Sequence, residues 1–331
     1  MSAKYESIHQ NPNGPGDARP TASQIIKDED LQGKWSDKTI LITGTSSGIG
    51  IETARALLDT GATVYLTARD LNKAKSALGS ILDNPRAKLL ELDLNSLASV
   101  RKCADEFSKD SDKLNILIAN AGVMATPEGR TEDGFETQFG TNHVAHFLLI
   151  QLLLPTLIKS ATPDFKSRVV VLSSSAHRLG EVNFDDFNFE GKYHPWVAYG
   201  QSKTANLYTA TELERRYSSQ GVHGYSVHPG LIGTGLMKFL PAEMLAGWAA
   251  NPIVGKVTKD VEQGAATSVW AATAKALEGK GGVYLEDVQI SKPAKVDPEE
   301  YDPGYAPYAF DQEKERLLWE KSLELVKPFL S

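Results

Sequence analysis

Cysteine is almost missing from this chain, because Cys103 is the only one among 331 residues. No internal disulfide can form, so the fold must rest on its buried core, and a reducing compartment is expected. Clustered basic residues are missing too. Lys and Arg number 35 against 42 Asp and Glu, a net charge of -7 spread along the sequence, which excludes the basic stripe that nucleic-acid binding requires. The most membrane-like stretch, HFLLIQLLLPTLI at 146–158, is well short of the roughly 20 apolar residues that cross a bilayer. It contains Pro155 and reads as a buried helix. The N-terminal MSAKYESIHQNPNGPGDARPTASQ holds no apolar core of signal-peptide length, and a soluble, cytoplasmic protein is expected. Neither a cysteine pair nor an H-E-x-x-H is present, so His143, His146, His177, Asp185 and Asp186 form no zinc-ligand pattern. The histidines read as structural or substrate-facing, and no metal centre is expected.

What is present is an alternation. The apolar runs TILITG, TVYLTA, KLLELDL, LNILIANAG, RVVVLSSS, HGYSVHPG and GGVYLED recur between segments of helical apolar spacing. Near-continuous apolar strands separated by helices are the pattern of a parallel α/β sheet of about seven strands covered on both faces. Residues 1–36, rich in Asn, Pro, Gly and Asp toward their start, are expected to form a partly disordered arm. Residues 37–331 are then expected to form a single domain. Residues 231–260 interrupt the alternation with apolar and aromatic residues of no clear period, which suits a lid over an apolar ligand. The segment DQEKERLLWEKSLELVKPFL reads as one amphipathic helix.

Two short stretches carry chemistry. TGTSSGIG, at 43–50, follows the first strand and leads into a helical pattern, so it places unpaired amides and the positive end of a helix dipole at one point, where phosphate binds. Gly44, Gly48 and Gly50 then serve a tight turn, the approach of a pyrophosphate, and close helix-to-strand packing. In YGQSK, Tyr199 and Lys203 are four apart and lie on one helix face. At about 5 Å and an effective dielectric of about 20, the ammonium favours the phenolate by roughly 3 kcal/mol, or about two pK units. This brings Tyr199 toward working pH as a general acid or base.

These stretches, with NAG at 120–122 and HPG at 228–230, stand in the order and approximate spacing of the short-chain dehydrogenase/reductase family. The chain resembles that family over about 37–287, and LSSSAHRLG with the long stretch before AYGQSK is most similar to its retinol-dehydrogenase-like, fungal-type branch. The resemblance implies a Rossmann-type doubly wound sheet, strand order 3-2-1-4-5-6-7, with the cofactor at the switch point. It implies a catalytic set of Asn142, Ser174, Tyr199 and Lys203. Tyr199 would exchange a proton with a carbonyl oxygen, Lys203 would hold the nicotinamide ribose, Ser174 would polarise the carbonyl, and Asn142 would complete a proton relay. Ser173 and Ser175 are left as strand-end hydrogen-bonding residues. For the cofactor it implies Gly44, Ser46, Ser47, Gly48, Ile49 and Gly50 at the phosphates, Asp93 and Leu94 at the adenine, and Asn120, Ala121 and Gly122 beside the ribose. Pro229, Gly230, Ile232 and Thr234 follow at the nicotinamide, with Tyr199 and Lys203 across from them.

At the end of the second strand, Ala68 stands where an NAD enzyme usually carries an acidic residue, and Arg69 follows. A guanidinium pairs with a 2′-phosphate, so NADP(H) is expected. The expected reaction interconverts a carbonyl and an alcohol on an apolar small molecule, with a pocket lined by 244–254, Trp196 and Phe239. The alternative is a catalytically vestigial dinucleotide-binding protein with an interaction or regulatory role. The resemblance also suggests a homo-oligomer, dimer or tetramer, formed through the long helices that hold Asn142 and Tyr199.

Overall fold

The computed structural model describes residues 2–297 and 301–330. Its sheet has eight strands in the order β3-β2-β1-β4-β5-β6-β7-β8. These are β1 (Thr39–Ile42), β2 (Thr63–Ala68), β3 (Ala87–Glu91), β4 (Ile116–Ala119), β5 (Ser167–Leu172), β6 (Val222–Val227), β7 (Val283–Glu286) and β8 (Gln289–Ile290). The first seven run parallel, as the alternation of apolar runs and helices implies. Alternate strand residues feed opposite cores. Leu41, Leu117, Val169 and Val171 join one cluster, whereas Ile40, Ile42, Ile116, Ile118 and Val170 join the other. Period-2 alternation with both faces apolar is what a doubly covered sheet demands.

The eighth strand is a departure from the expected seven. It pairs antiparallel with β7 through Leu285↔Ile290 and Glu286↔Gln289, so Asp287 and Val288 form a two-residue hairpin turn. Both have positive φ, 50° and 57°, the geometry that such a turn needs but that a valine disfavours. The turn is held because Lys259 Nζ donates to Asp287 Oδ1 at 2.7 Å and the Val288 amide to Thr267 Oγ1 at 3.3 Å.

The expected loose arm is instead packed. Thr21 caps the helix Ala22–Asp28, and Ile25 and Ile26, fully buried, join the cluster that also contains Trp270 and Leu285. Burying two such side chains contributes about 4 kcal/mol toward the cost of ordering the segment.

The apolar stretch at 146–158 lies in the helix Ala145–Ser160, whose Leu148, Leu149, Ile150, Leu153 and Leu157 are fully buried. With the turns before it, this is the one helix among the described residues long and apolar enough to cross a membrane, and it is mostly buried. The amphipathic C-terminal helix, Gln312–Val326, lies against the long helix Pro195–Tyr217. Its Trp319 meets Phe147 edge-on at 4.9 Å and Tyr217 at 6.0 Å. The two helices expected to form an interface between copies are thus covered on this face by the chain's own C-terminus, because that helix presents Leu318, Trp319 and Val326 to them.

Candidate active site

β1 ends in the glycine-rich turn, and the helix Ile49–Leu58 starts at Gly48 with no side-chain cap. The Ile51 amide closes onto Gly48 O at 3.2 Å, which leaves the amides of Ile49 and Gly50 without an acceptor among the described residues. Gly44 has φ 73°, and a Cβ there would stand 2.7 Å from the Ala121 Cβ. At Gly50 a Cβ would stand 2.2 Å from the Gly44 carbonyl oxygen. The turn, the start of the helix and the end of β4 are thus in contact in a way only glycine permits.

Asn120 Nδ2 donates to Thr43 O at 2.8 Å and to Gly44 O at 3.2 Å. Its Oδ1 is buried with no partner, an acceptor left for a ligand hydroxyl. One cavity of about 1510 Å3 runs from this loop to the segment 231–260, larger than the roughly 300–1,000 Å3 of a single small-ligand pocket. The orphaned acceptor, the glycine cradle and the cavity size fit a dinucleotide with a second molecule beside it.

The cavity is lined by Ser46, Ser47, Gly48 and Ile49 at the loop, and by Arg69, Asp93 and Leu94 at the ends of β2 and β3. Ala121 and Gly122 line it after β4, and Pro229, Gly230, Ile232 and Thr234 after β6. Arg69 is exposed and makes no hydrogen bond or ion pair among the described residues. The neighbouring Asp70 accepts the Lys73 amide at 3.0 Å and caps the helix Leu71–Leu78. Lys73 also lines the cavity. Sequence reasoning passed over it, since nothing in its local pattern separates it from a surface lysine.

The four catalytic candidates come together on three elements. Tyr199 and Lys203 lie on Pro195–Tyr217, with the Lys203 Nζ 5.5 Å from the phenol ring centroid. Lys203 Nζ donates to Leu172 O at 3.0 Å, at the end of β5. Ser174 caps a short 3₁₀ turn, Ser175–Leu179, its Oγ accepting the Ala176 amide at 3.1 Å, and its hydroxyl lies beside the Tyr199 phenol. Ser173 instead donates to Lys203 O at 2.8 Å; Ser175 lines the cavity.

Asn142 sits in a π-helical turn, Gly140–Val144, between Thr137–Phe139 and Ala145–Ser160, the kind of helix irregularity common at functional sites. Its amide group is fully used. Nδ2 donates to Val123 O and to Ser202 Oγ, both at 2.9 Å, and Oδ1 accepts the Val123 amide at 2.8 Å. Its backbone carbonyl accepts His146 Nδ1–H at 2.9 Å.

His143, His146 and His177 are structural. With Nδ1 protonated, His146 presents Nε2 to Thr43 Oγ1 at 2.8 Å, and that hydroxyl in turn accepts the amides of Asn120 and Ala121. His177 Nδ1 donates to Ser174 O at 2.6 Å, while its Nε2 accepts the Ala306 amide at 3.0 Å. His143 Nε2 meets Ser322 Oγ at 2.8 Å. Two of these rings thus hold the backbones of Asn142 and Ser174, roles that no local sequence pattern announces. Asp186 accepts the amides of Asn188 and Glu190 within its own loop. No three His, Cys, Asp or Glu residues among the described ones gather as a metal site.

The electrostatics correct one expectation. The Tyr199 phenol is not drawn down toward working pH. Burial pushes it up to about 12, against a smaller lowering by the Ser174 hydrogen bond, and burial pushes the Lys203 ammonium down to about 8. Both shifts have one cause: each charge is taken out of water. The four-residue spacing is as expected, but desolvation of the pair outweighs its attraction.

Around the phenol the wall turns apolar. Met124, Ala125, Ala176 and Leu240 form a cluster with Tyr199, and Trp196, Met237, Met244 and Trp248 pack on it. The stretch between Ser174 and Tyr199 is a loop tied down from below: Gln201 Oε1 accepts the Asn183 amide, its Nε2 donates to Phe187 O, and Phe187 stacks on Phe139 at 4.7 Å.

Comparison with known proteins agrees with this geometry. A family model described as short chain dehydrogenase matches residues 38–244. A short-chain dehydrogenase/reductase of Penicillium roqueforti is 50% identical over 325 residues, covering 98% of this chain and 95% of its own. Retinol dehydrogenase 12 of Homo sapiens is 38% identical over 292 residues, 87% of this chain and 86% of its own. A solved structure of an uncharacterized protein from Mycobacterium paratuberculosis superposes with a TM-score of 0.68 at 33% identity, covering 90% of this chain and 97% of that one.

Proposed function

The chain belongs to the short-chain dehydrogenase family, and from that premise we propose that it interconverts a carbonyl and an alcohol on an apolar small molecule, using NADP(H), with Tyr199 as general acid and base. The observation that carries this reading is the position of Tyr199, which with Ser174 and Lys203 lines one cavity between a glycine-lined helix N-terminus and an apolar lid. Ser46, Ser47 and the amides of Ile49–Leu58 would hold the phosphates, Asn120 and Lys203 the ribose hydroxyls, and Arg69 with Lys73 a 2′-phosphate. When bound, the nicotinamide supplies the hydride that reduces the carbonyl carbon.

This chain's own side chains manage the proton. Ser174 donates to the carbonyl oxygen and orients it, and Tyr199 transfers its phenolic proton to that oxygen as the alcohol forms. Lys203 stabilises the tyrosinate that remains. At pH 7 a phenol near 12 is fully protonated and a lysine near 8 is mostly charged, which is the protonation state that reduction needs. Trp196, Trp248 and Met237 exclude water from the apolar part of the substrate. The test is direct: purified protein is offered a panel of apolar ketones and aldehydes with NADPH, and consumption of NADPH is followed. Turnover on none of them would favour the vestigial dinucleotide-binding alternative.

Two further results follow. Because Tyr199 stays protonated well beyond neutrality, the basic limb of the reduction profile belongs to Lys203. We expect kcat/KM to be level up to about pH 8 and to fall tenfold per unit above it; a profile level to pH 10 would contradict this. Arg69→Asp replaces a phosphate partner with a repelling carboxylate. It should weaken NADPH by about 100-fold, or about 2.7 kcal/mol, while changing NADH less than threefold. Titrations by nicotinamide fluorescence decide it, and equal losses for both would remove the NADP assignment.

A further inference from the structure

The lid does not hold itself down. Its helix Ala242–Ala250 contributes no buried residue, and the next, Pro252–Val257, contributes only Val254. Leu245 and Ile253 stand 37% and 53% exposed. Its position is therefore set by contacts beneath it and by its two stems, which meet where the Lys259 amide donates to Leu231 O at 2.8 Å and Ile232 bridges Lys259.

The far stem is gripped by the N-terminal segment. Arg19 is 4% exposed, and its guanidinium donates to Val257 O at 2.8 Å, Thr258 O at 2.7 Å and Lys256 O at 3.4 Å. These carbonyls lie at the end of Pro252–Val257, where the helix supplies no amide for them. The same guanidinium bonds Gly14 O at 3.0 Å and Asp17 Oδ1 at 2.8 Å, so it is fixed from its own side as well. The Gly14 amide donates to Lys256 O at 2.8 Å. Gln263, 2% exposed, ties the next turn to the segment, its Nε2 reaching Asp17 O, Asp17 Oδ1 and Arg19 O, and its Oε1 accepting the Gly16 amide. A buried cation aimed at a helix C-terminus is favoured by the dipole and costly to leave unmade. Glu6, His9, Gln10 and Pro12, earlier in the segment, line the same cavity as Tyr199.

We propose that Arg19 is a positioning residue that clamps the far stem of the substrate lid, so that the N-terminal segment determines how large an apolar substrate the cavity accepts. The proposal rests on the oxidoreductase reading for its kinetic consequence, and on the hydrogen bonds alone for its mechanical one. Arg19→Met keeps the length of the side chain and removes the donors. In the full chain, hydrogen exchange of the amides at 242–258 should rise at least tenfold, with the amides of β1 and β4 unchanged. KM for a bulky apolar carbonyl should rise about tenfold, whereas kcat and the Kd for NADPH stay within twofold. Lid amides exchanging as in the wild type, or exchange rising equally in the strands, would overturn the clamp. A KM that moves only together with the NADPH Kd would overturn its link to substrate size. If Arg19→Met does not fold, Asp17→Asn, which loosens one anchor of the guanidinium, is judged by the same readouts with a threefold rise expected. A wild type that reduces no carbonyl sinks the oxidoreductase reading and with it the kinetic consequence, while the exchange measurement still decides the clamp.

Discussion

Tyr199→Phe is expected to lower kcat for carbonyl reduction by about 10³-fold while leaving the Kd for NADPH within about twofold. The substitution keeps the ring that packs at 6.2 Å from Trp196 and under Leu240. It removes one oxygen, and with it the only proton the geometry aims at a carbonyl beside Ser174. Loss of a positioned general acid costs about 10²–10⁴-fold. The effect should fall near the middle of that range, because the phenol is buried. Stopped-flow reduction and fluorescence titration together check both halves. A variant keeping more than a tenth of wild-type kcat would show that another group supplies the proton.

The second large effect is on stability. Burial drives the imidazoles of His143, His146 and His177 down, to about 3, 4 and 4, and the nearby charge of Lys203 on His146 and of Arg178 on His177 acts in the same direction. The unfolded chain titrates these rings near 6.5. Below that pH it therefore binds protons that the native state refuses, so stability is complete above about 6.5 and is lost as pH falls toward 4. Each ring costs about 1.4 kcal/mol per pH unit, the three together at most about 4. A native stability of about 10 kcal/mol would be exhausted near pH 4. Structure gives the reason: a proton on His177 Nε2 would face the Ala306 amide, and one on His146 Nε2 would face a Thr43 hydroxyl that already accepts two amides. Urea midpoints should change little between pH 7.5 and 6.5 and fall steeply from pH 6 to 5. A midpoint that is level down to pH 5 would contradict this account.

The parallel strands were legible because each is a short apolar run followed by a helix-period segment, and both signals are local. The glycine turn and the Tyr199/Lys203 spacing were legible for the same reason. What escaped was non-local. β8 is two residues long and its turn, Asp287–Val288, lacks the glycine or asparagine that announces a hairpin. The arm 1–36 read as partly disordered because it is rich in Asn, Pro, Gly and Asp toward its start, yet Ile25 and Ile26 within it are fully buried. They are ordered by a partner helix, Ala266–Thr273, some 240 positions away. The tyrosine shift was misjudged because charge spacing can be read from a sequence, whereas the depth of burial that opposes it cannot. Arg19 and Lys73 look like any surface cation until the chain is folded around them.

The C-terminal helix has one more consequence. It covers one flank of the two long helices, and Phe147, Tyr217 and Trp319 form the joint. The catalytic row thus leans on a brace that lies far along the chain from Asn142 and Tyr199, and a change at Trp319 would be felt in the scaffold behind both.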